Sequence, residues 1–382
     1  MKIAGDWLDH PGTQALCLAL EGAGYRALFV GGCVRNSLMR VSVGDVDLAT
    51  DAHPKTVSNI AESAGFKVVP TGIDHGTVTV ISGGVAHEVT TFRRDVETDG
   101  RRAVVAFSTD LEEDAARRDF TMNALYADRF GTVIDPLNGL ADLMARHVRF
   151  VGDPQTRIRE DYLRILRFFR FHAAYGDPDS GIDAEGLAAC AALSAGLETI
   201  SRERIGAEMR KLLAARDPAP SVAAMAAAGV LAVVLPEADP RGLAPLVHLE
   251  GALAPRWLRR LAVLGGIEVE TALRLSRAEG RDLATLRDGL SSLDRPAALG
   301  WRHGNTLATD VVLARAAILG TAPPLGWQKE VARGTAADFP VSAADLMPGF
   351  QGEALGARLR ELQDRWLASG LTLLREDLLK GA

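Results

Sequence analysis

The chain has 382 residues, of which 47% are hydrophobic and 24% charged, a composition typical of a globular protein with two to four domains. Its net charge of −6 argues against a protein coated in positive charge, although a local basic groove can still bind nucleic acid. Aromatic residues make up only 5%, so we do not expect base stacking on exposed rings to be the main mode of binding.

The cysteines and the apolar segments indicate the compartment. Cys17, Cys33 and Cys190 are scattered, odd in number and without zinc-site spacing, which fits a reducing cytosol. The first residues, MKIAGDWLDHPG, lack the apolar segment of a signal peptide. The apolar stretches are also shorter than the roughly 18 residues that a membrane helix needs. We therefore expect a cytoplasmic protein with no membrane partner.

The first 150 residues alternate between helix and strand signals, which predicts an α+β domain with a small mixed sheet. Asp51 is a plausible N-cap for the third helix. The predicted helices are 11–25, 33–40 and 54–64, and the predicted strands are 27–30, 45–49, 67–69, 76–81 and 87–92. Residues 93–107, RRDVETDGRRAVVAF, are charged and contain glycine, and they are predicted as a loop that is either simply exposed or mobile beside a site.

From about residue 153 onward the chain is predicted to be helical, with Ala, Leu and Arg dominating. Proline-rich breaks at 217–220, 236–240 and 323–324 divide this part into blocks without a fixed repeat. Arg256, Arg259 and Arg260 form a basic cluster. This cluster is either an RNA-backbone contact or a solvated helix face, and the sequence leaves both open.

Residues 27–50 contain a candidate phosphate and metal site. Asp45 and Asp47 would point to the same side of a strand, where they repel unless a cation lies between them. Oxygen-only ligands favour Mg²⁺. The turn at Gly31-Gly32 lets backbone N–H groups approach a phosphate, and Arg35 would add charge-assisted hydrogen bonds. The pattern predicts phosphoryl or nucleotidyl transfer.

Residues 112–125, EEDAARRDFTMNAL, place two arginines and an aspartate before an apolar segment that is predicted to be helical. We expect Asp119 to cap that helix. Arg118 either reaches a phosphate or pairs with the preceding acidic residues. The turn at 135–139, DPLNG, is interpreted as structural.

Residues 159–172, REDYLRILRFFRFH, are predicted as one helix in which Arg164, Arg167 and Arg170 recur every three residues. Asp161 would lie on the same side as Arg164. A carboxylate accepts from the amino groups of cytosine and adenine, and a guanidinium donates to their ring nitrogens. Guanine and uracil would leave the carboxylate unpaired. The helix is therefore either a reader of C and A or a solvated Asp–Arg ladder.

Five segments occur in the order found in a known family. The chain resembles the class II tRNA nucleotidyltransferases, which comprise the CCA-adding enzymes and the related bacterial poly(A) polymerases. The segments are GGCVRN with GDVDLAT, RRDFTMNAL, DPLNGLADL, REDYLRILRFFRF and ISRERIGAEM.

The resemblance implies a fold and an activity. The fold would be α+β, with a polymerase-β-like nucleotidyltransferase head at 1–150. Helical domains would follow: a neck at 151–216 with the nucleotide-selecting helix, a body at 217–295 and a tRNA-binding tail at 296–382. The activity would be template-independent addition of C, C and A to the tRNA 3′ end from CTP and ATP, with release of pyrophosphate.

The resemblance also implies roles for the motif residues. Asp45 and Asp47 would bind Mg²⁺ and carry the catalysis, with Glu88 as a third carboxylate near the metal. The nucleotide contacts would be Gly32 and Arg35 at the triphosphate, Arg118 beside it, Asp161 and Arg164 as the protein template for C and A, and Arg167 and Arg170 nearby. Asn36 departs from the family, which often has Asp there.

The choice within the family depends on two further segments. Residues 70–80, PTGIDHGTVTV, resemble the CCA-adding form, and residues 93–107 are long enough for the flexible loop of enzymes that add the final A. Three alternatives stay open: a poly(A) or A-adding enzyme, a catalytically silent tRNA-binding protein on the same fold, and a small-molecule nucleotidyltransferase. The sequence leaves the oligomeric state undetermined.

Overall fold

The computed structural model describes residues 1–73, 76–98 and 103–380. The chain forms two compact units, one of residues 1–200 with 228–230 and one of the remainder from residue 201 onward. The predicted neck is divided between these units, and the finer division into four domains stays a prediction. Residues 74–75 and 99–102, which belong to the two segments used to choose within the family, lie outside the described residues.

The first unit contains a seven-stranded mixed sheet, which confirms the predicted α+β architecture. The strand order is β3-β4-β5-β2-β1-β8-β9, and β2 and β5 are its parallel neighbours. The strands of the sheet are β1 Leu28–Val30, β2 Val46–Thr50, β3 Lys67–Gly72, β4 Thr77–Ser82, β5 Val85–Thr91, β8 Tyr126–Ala127 and β9 Val133–Ile134.

The segment predicted as a loop at 93–107 is instead a separate antiparallel strand pair, β6 Arg93–Thr98 and β7 Ala103–Phe107. Its Val, Thr and Phe residues suit an extended backbone, and this preference outweighs the charges that suggested a loop. The prediction of a loop was therefore wrong for the described part of the segment.

The three predicted helices at 11–25, 33–40 and 54–64 agree with α2, α3 and α4 to within a few residues. Asp51 was wrongly predicted as a cap: the fourth helix starts after His53, and Asp51 Oδ1 accepts from the Arg26 backbone N–H at 2.7 Å. The helices are α1 Asp6–Asp9, α2 Pro11–Gly22, α3 Gly32–Leu38, α4 Pro54–Ser63, α5 Leu111–Ala116, α6 Gly139–Met144, α7 Pro154–Glu160, α8 Leu163–Tyr175 and α9 Ala184–Ala192.

Aromatic packing holds α8 against the segment that follows α5. The Phe120 ring lies 5.0 Å from Phe150 and 4.8 Å from Phe171, measured between ring centres, and Phe150 stacks on Phe168 at 5.3 Å. These four rings are buried, and they contribute apolar contact where α8 meets this segment. The polar residues around the rings are thereby held in fixed positions.

The second unit is built of helices, which confirms the prediction for the C-terminal half. Its longest helix, α17, contains a kink at Gly304, where φ is 73°. The helices are α10 Arg202–Leu213, α11 Ala219–Ala227, α12 Val230–Val234, α13 Leu243–Glu250, α14 Trp257–Leu264, α15 Val269–Ala272, α16 Arg277–Ser291, α17 Pro296–Leu319, α18 Trp327–Thr335, α19 Gly352–Ala368 and α20 Arg375–Leu379.

Two of the three arginines in the basic cluster at α14 are buried. For these two, both predicted alternatives, an RNA-backbone contact and a solvated helix face, were wrong. Arg259 and Arg260 are 2% and 1% exposed. Both pair with Glu250, at 2.6 and 2.7 Å, and Arg259 also pairs with Asp310 at 3.0 Å. Arg256 pairs with the same Asp310 at 3.0 Å. The partners come from α13 and α17, so local spacing on α14 gave no sign of them.

Among the described residues, none of the helices combines the length and the apolar composition that crossing a membrane requires. Cys17, Cys33 and Cys190 are all buried free thiols.

Candidate active site

Three carboxylates lie near the start of β2. Asp45 immediately precedes the strand, and Asp47 is its second residue. In the parallel pairing of β2 with β5, Asp47 lies opposite Glu88. Burial, then the charges of Glu88 and Asp45, raise the pKa of the Asp47 carboxyl to about 6. The negative charge gathered here is therefore poorly compensated by the protein.

This carboxylate group suits a hard divalent cation. In the part of the chain that the structure describes, no three His, Cys, Asp or Glu side chains are arranged to hold a metal ion by themselves. Mg²⁺ is commonly bound by one or two carboxylates that share it with substrate phosphates. Asp45 and Asp47 fit that arrangement, whereas the exposed Glu88 remains a predicted third carboxylate beside Asp47.

The glycine turn lies at the end of β1, the strand next to β2. Gly31 has φ 67° and ψ −113°, a conformation that residues with a side chain rarely adopt. Its N–H donates to the Leu125 carbonyl at 3.1 Å, and its carbonyl accepts from the Arg35 N–H at 2.9 Å. A Cβ on Gly31 would lie 3.6 Å from Nη1 of Arg118, so Arg118 faces the turn. Gly32 begins α3 directly beyond it.

Arg118 makes one of the two contacts between which the sequence could not decide, and its contact with a phosphate stays a prediction. Its Nη2 donates to Asp114 at 2.9 Å and its Nε to the Tyr126 hydroxyl at 3.0 Å, so it does pair with a preceding acid. None of the hydrogen bonds among the described residues uses its Nη1, the atom that faces Gly31. The positive charge of Arg118 also acts to lower the pKa of Asp47. An anion at the turn would therefore meet an oriented guanidinium.

Asp114 is a residue that the sequence analysis missed. It is fully buried and accepts hydrogen bonds from Arg117, Arg118 and the Tyr126 hydroxyl. Burial alone would raise its pKa, but the charges of Arg118 and Arg117 outweigh burial and lower the pKa to about 2. The signal was the spacing of three and four residues between Asp114 and the two arginines, which places all three on one side of a helical turn.

Arg35 lies in different surroundings from those expected of an open phosphate ligand. Its side chain is 6% exposed, and its guanidinium lies 4.0 Å from the ring centre of Tyr175. Nη2 donates to the Tyr175 hydroxyl at 2.8 Å, Nη1 donates to Oδ1 of Asn123, and Nε donates to Oδ1 of Asn36 at 3.1 Å. Burial lowers the pKa of Arg35. The predicted contact with a triphosphate stays a prediction.

The residues predicted to read the base lie at an elbow and not on one continuous helix. The chain leaves helical geometry at Asp161, where φ is −155° and ψ is 103°, between α7 and α8. Asp161 Oδ1 accepts from the Leu163 N–H at 3.1 Å. The next turn contains Arg164, whose Nη1 donates to Glu160 at 2.5 Å and to the Arg157 carbonyl at 2.9 Å. The predicted uninterrupted helix at 159–172 was therefore wrong, but Asp161 and Arg164 remain close.

The two other arginines of α8 have partners within the first unit. Arg167 Nε donates to Oδ2 of Asp119 at 2.8 Å, and the Arg170 guanidinium lies 4.5 Å from the Phe171 ring centre. Asp119 was wrongly predicted as a helix cap. The segment after it forms only a short 3₁₀ turn at 121–123, and Asp119 Oδ1 accepts from the side chain of Asn123 at 2.9 Å.

The fold and site define a nucleotidyltransferase, and comparison with known proteins agrees. The sequence model of the "Poly A polymerase head domain" matches residues 27–149, and that of the "Probable RNA and SrmB-binding site of polymerase A" matches residues 181–241. The chain belongs to the class II tRNA nucleotidyltransferase and poly(A) polymerase family, as its motifs predicted.

The similar proteins share this family. The CCA tRNA nucleotidyltransferase 1, mitochondrial, of Mus musculus is 32% identical across 96% of this chain and 89% of its own length. The CCA-adding enzyme of Levilactobacillus brevis is 44% identical across 52% of this chain and 49% of its own. The structure of the Bacillus stearothermophilus CCA-adding enzyme in complex with CTP aligns with a TM-score of 0.73, at 32% identity, over 94% of this chain and 93% of that one.

Proposed function

We propose that this protein adds C, C and A to the 3′ end of tRNA without a nucleic-acid template, using CTP and ATP. The observation that carries the chemistry is the position of Asp45 and Asp47, a crowded carboxylate pair one strand away from a glycine turn that faces Arg118. The names of the relatives that match over most of the chain, together with the CTP complex of the similar structure, support this substrate choice.

The residues around the pair would position the reactants. Asp45 and Asp47 would hold Mg²⁺, with Glu88 beside them. When bound, the ion supplies Lewis-acid stabilisation of charge on the phosphate oxygens. The turn at Gly32 and Nη1 of Arg118 would bind the triphosphate. The RNA 3′-hydroxyl would lose its proton to water and attack the α-phosphorus, the bond from that phosphorus to the bridging oxygen would break, and pyrophosphate would leave.

The elbow between α7 and α8 would select the base. Asp161 would accept from the amino group of cytosine or adenine, and Arg164 would donate to the adjacent ring nitrogen. Guanine and uracil present a carbonyl instead, which leaves the carboxylate unpaired at a cost of roughly 1–3 kcal/mol. Arg167 and Arg170, one and two turns further along α8, would contribute to the nucleotide's surroundings.

The remaining features of the proposal concern partners and location. The RNA-binding family model at 181–241 supports tRNA contacts in the helical part of the chain. We propose that the enzyme works in the cytoplasm with tRNA, CTP and ATP as its partners and without a membrane.

The second candidate is a poly(A) or A-adding enzyme, which the name of the head-domain model favours. The decisive experiment incubates tRNA lacking its CCA end with CTP and ATP and sizes the products. Three added nucleotides support CCA addition, a long A tail supports the second candidate, and no product supports a silent tRNA-binding protein.

The same assay tests the carboxylate pair. We expect Asp45→Ala and Asp47→Ala each to lose roughly a hundred- to a thousandfold in rate, because removing preorganised transition-state stabilisation costs roughly 2.7–4 kcal/mol. Glu62→Ala, an exposed carboxylate on α4, is the control and should keep full activity. Transfer by Asp47→Ala at the wild-type rate would contradict the metal assignment.

A further inference from the structure

We infer that Arg35, Asn123 and Asp119 form a buried polar relay that sets the spacing between the phosphate turn and the base-reading helix α8. This inference rests on the proposed function and adds to it three positioning residues. It concerns groups that would not touch the base, and it gives Arg35 a positioning role in addition to its predicted contact with the triphosphate.

The relay begins on α3, the helix that starts at the glycine turn. Arg35 lies one turn into α3, and its backbone N–H is bonded to the Gly31 carbonyl at 2.9 Å, so its position depends directly on the turn. Its guanidinium donates to Oδ1 of Asn123 and to the hydroxyl of Tyr175, the last residue of α8. Arg35 thus joins the turn to the far end of α8.

Asn123 carries the connection to the middle of the same helix. Its Nδ2 donates to Oδ1 of Asp119 at 2.9 Å, and Oδ2 of Asp119 accepts from Nε of Arg167 at 2.8 Å. Asn123 and Asp119 are both buried, at 7% and 9% exposure. A small shift of α8 would therefore break charge-assisted bonds in a region of low dielectric, where an unpaired group is costly.

The amide chemistry of Asn123 is specific to this arrangement. Asparagine has one acceptor and one donor group, and here the acceptor faces a cation while the donor faces a carboxylate. The Asn123→Asp substitution would keep the acceptor for Arg35 but place a second negative charge against Asp119. The Asn123→Ala substitution would remove both bonds. The two substitutions therefore separate the two halves of the relay.

A template-independent polymerase needs this spacing to be fixed. The base would be read on α8 while the α-phosphorus reacts beside β2, and displacements near 1 Å can cost roughly a hundredfold in rate. If the relay holds α8 at a fixed distance from the turn, a base that is correctly bound by Asp161 and Arg164 also places its α-phosphorus correctly. Loss of the relay should therefore lower kcat and weaken selection more than it weakens nucleotide binding.

The test compares Asn123→Ala, Asn123→Asp and Arg35→Lys with the wild type in single-nucleotide transfer from CTP and from UTP to trimmed tRNA. The matched control is Arg129→Ala, because Arg129 also pairs with an acid, Glu21 at 2.8 Å, and stacks on an aromatic ring, but lies outside the relay. Melting temperatures show which variants are folded.

We expect kcat for CTP to fall roughly ten- to a hundredfold in both Asn123 variants, with KM within about threefold, and the preference for CTP over UTP to fall roughly tenfold. Arg129→Ala should stay within about twofold of the wild type. An unchanged kcat in folded Asn123→Asp would overturn the relay. So would a pattern in which only Arg35→Lys has an effect and that effect is a raised KM for CTP, because that pattern identifies a direct phosphate contact.

Hydrogen–deuterium exchange separates this inference from the proposed function, because it needs no turnover. The relay predicts faster amide exchange in both α3 and α8 in Asn123→Ala, and no such change in Arg129→Ala. Exchange that stays at the wild-type rate in α3 overturns the relay, even if the wild type adds CCA. Conversely, a wild type that fails to extend tRNA refutes the proposed function, while coupled exchange in α3 and α8 would still support the relay.

Discussion

Asp47 on β2 and Glu88 on β5 lie directly opposite each other in the parallel part of the sheet, with Asp45 two residues before Asp47. Two acidic residues in register on neighbouring strands repel. Burial is the main cause of the raised pKa of Asp47, and the repulsion by Glu88 and Asp45 adds to it. Such a pairing disfavours folding in the absence of a cation, which is typical of a site organised for function rather than for stability.

The first prediction concerns the stability of the metal-free protein. The pKa of Asp47 in the folded state, about 6, lies above its ordinary value, so the folded state binds this proton more tightly than the unfolded state does. As pH rises from about 4 through 6 the proton is lost, and the charged carboxylate increasingly destabilises the fold. With EDTA at pH 7, Asp47→Asn should therefore raise the free energy of unfolding by roughly 1–2 kcal/mol, after allowance for partial exposure.

Urea unfolding at pH 7 and at pH 4 measures this difference. The stabilisation should shrink towards zero at pH 4, where wild-type Asp47 is protonated in the folded state. Glu62→Gln is the control and should be neutral at both values. If Asp47→Asn is less stable than the wild type at pH 7, the inference that the charged Asp47 carboxylate lowers the free energy of unfolding is refuted.

The second prediction concerns Asp114, whose pKa is shifted in the opposite direction. Its folded pKa, about 2, lies below the ordinary value, so its charged form stabilises the fold above about pH 4, and this contribution is lost as pH falls through 2. Asp114→Asn leaves Arg117 and Arg118 without their buried partner, and we expect a loss of roughly 3 kcal/mol at pH 7.

The measurement is urea unfolding from pH 7 down to pH 2.5, with Glu112→Gln, an exposed residue on the same helix, as the control. The gap between wild type and Asp114→Asn should narrow below pH 4. Because Asp114 also orients Arg118, KM for CTP should rise in the variant. A destabilisation that is independent of pH would show that packing, and not charge, is responsible.

Local patterns in the sequence were sufficient to predict most of the first unit. The predicted strand at 45–49 and helix at 54–64 match β2 and α4 to within one residue at each end, because the apolar residues of a short strand and Pro54 at a helix start are local signals. Pairing in the sheet is not local. The parallel register of β2 with β5, which places Glu88 beside Asp47, follows only from the complete topology.

The partners of three arginines could not be predicted for the same reason. Arg35 was interpreted from its neighbours at the glycine turn, but its partners Asn123 and Tyr175 lie 88 and 140 residues away. Arg259 and Arg260 were considered exposed because their acidic partners are on other helices. A single sequence shows that a buried arginine would need an acidic or polar partner. It does not show which distant helix or strand provides that partner.

The third prediction tests the elbow as the base reader. Asp161→Ala should reduce the preference for CTP over UTP by at least tenfold, because the carboxylate would no longer be left unpaired by a base carbonyl. The substitution also removes the bond to the Leu163 N–H, which costs about 1 kcal/mol of stability. Asp153→Ala is the matched control, since Asp153 caps α7 through the Thr156 N–H at 2.7 Å. Equal loss of selectivity in both variants would assign the effect to capping.

The last prediction concerns the buried charges of the second unit. Glu250 accepts from both Arg259 and Arg260, and Arg260 also donates to the carbonyls of Leu213 and Ala215 at the end of α10. Glu250→Ala would leave the buried Arg260 without a carboxylate partner and Arg259 with only Asp310, so we expect the second unit to lose roughly 3–5 kcal/mol of stability.

Arg241→Ala is the control for that substitution, because Arg241 pairs with Asp239 at the surface, its side chain is 88% exposed, and its loss should cost less than about 1 kcal/mol. Thermal unfolding and a tRNA-binding measurement on the same variants distinguish the two roles of the arginines. If they hold the helices together, Arg260→Lys should lower the melting temperature while the folded protein binds tRNA with wild-type affinity. A variant that melts at the wild-type temperature but binds tRNA more weakly would contradict this structural role of Arg260.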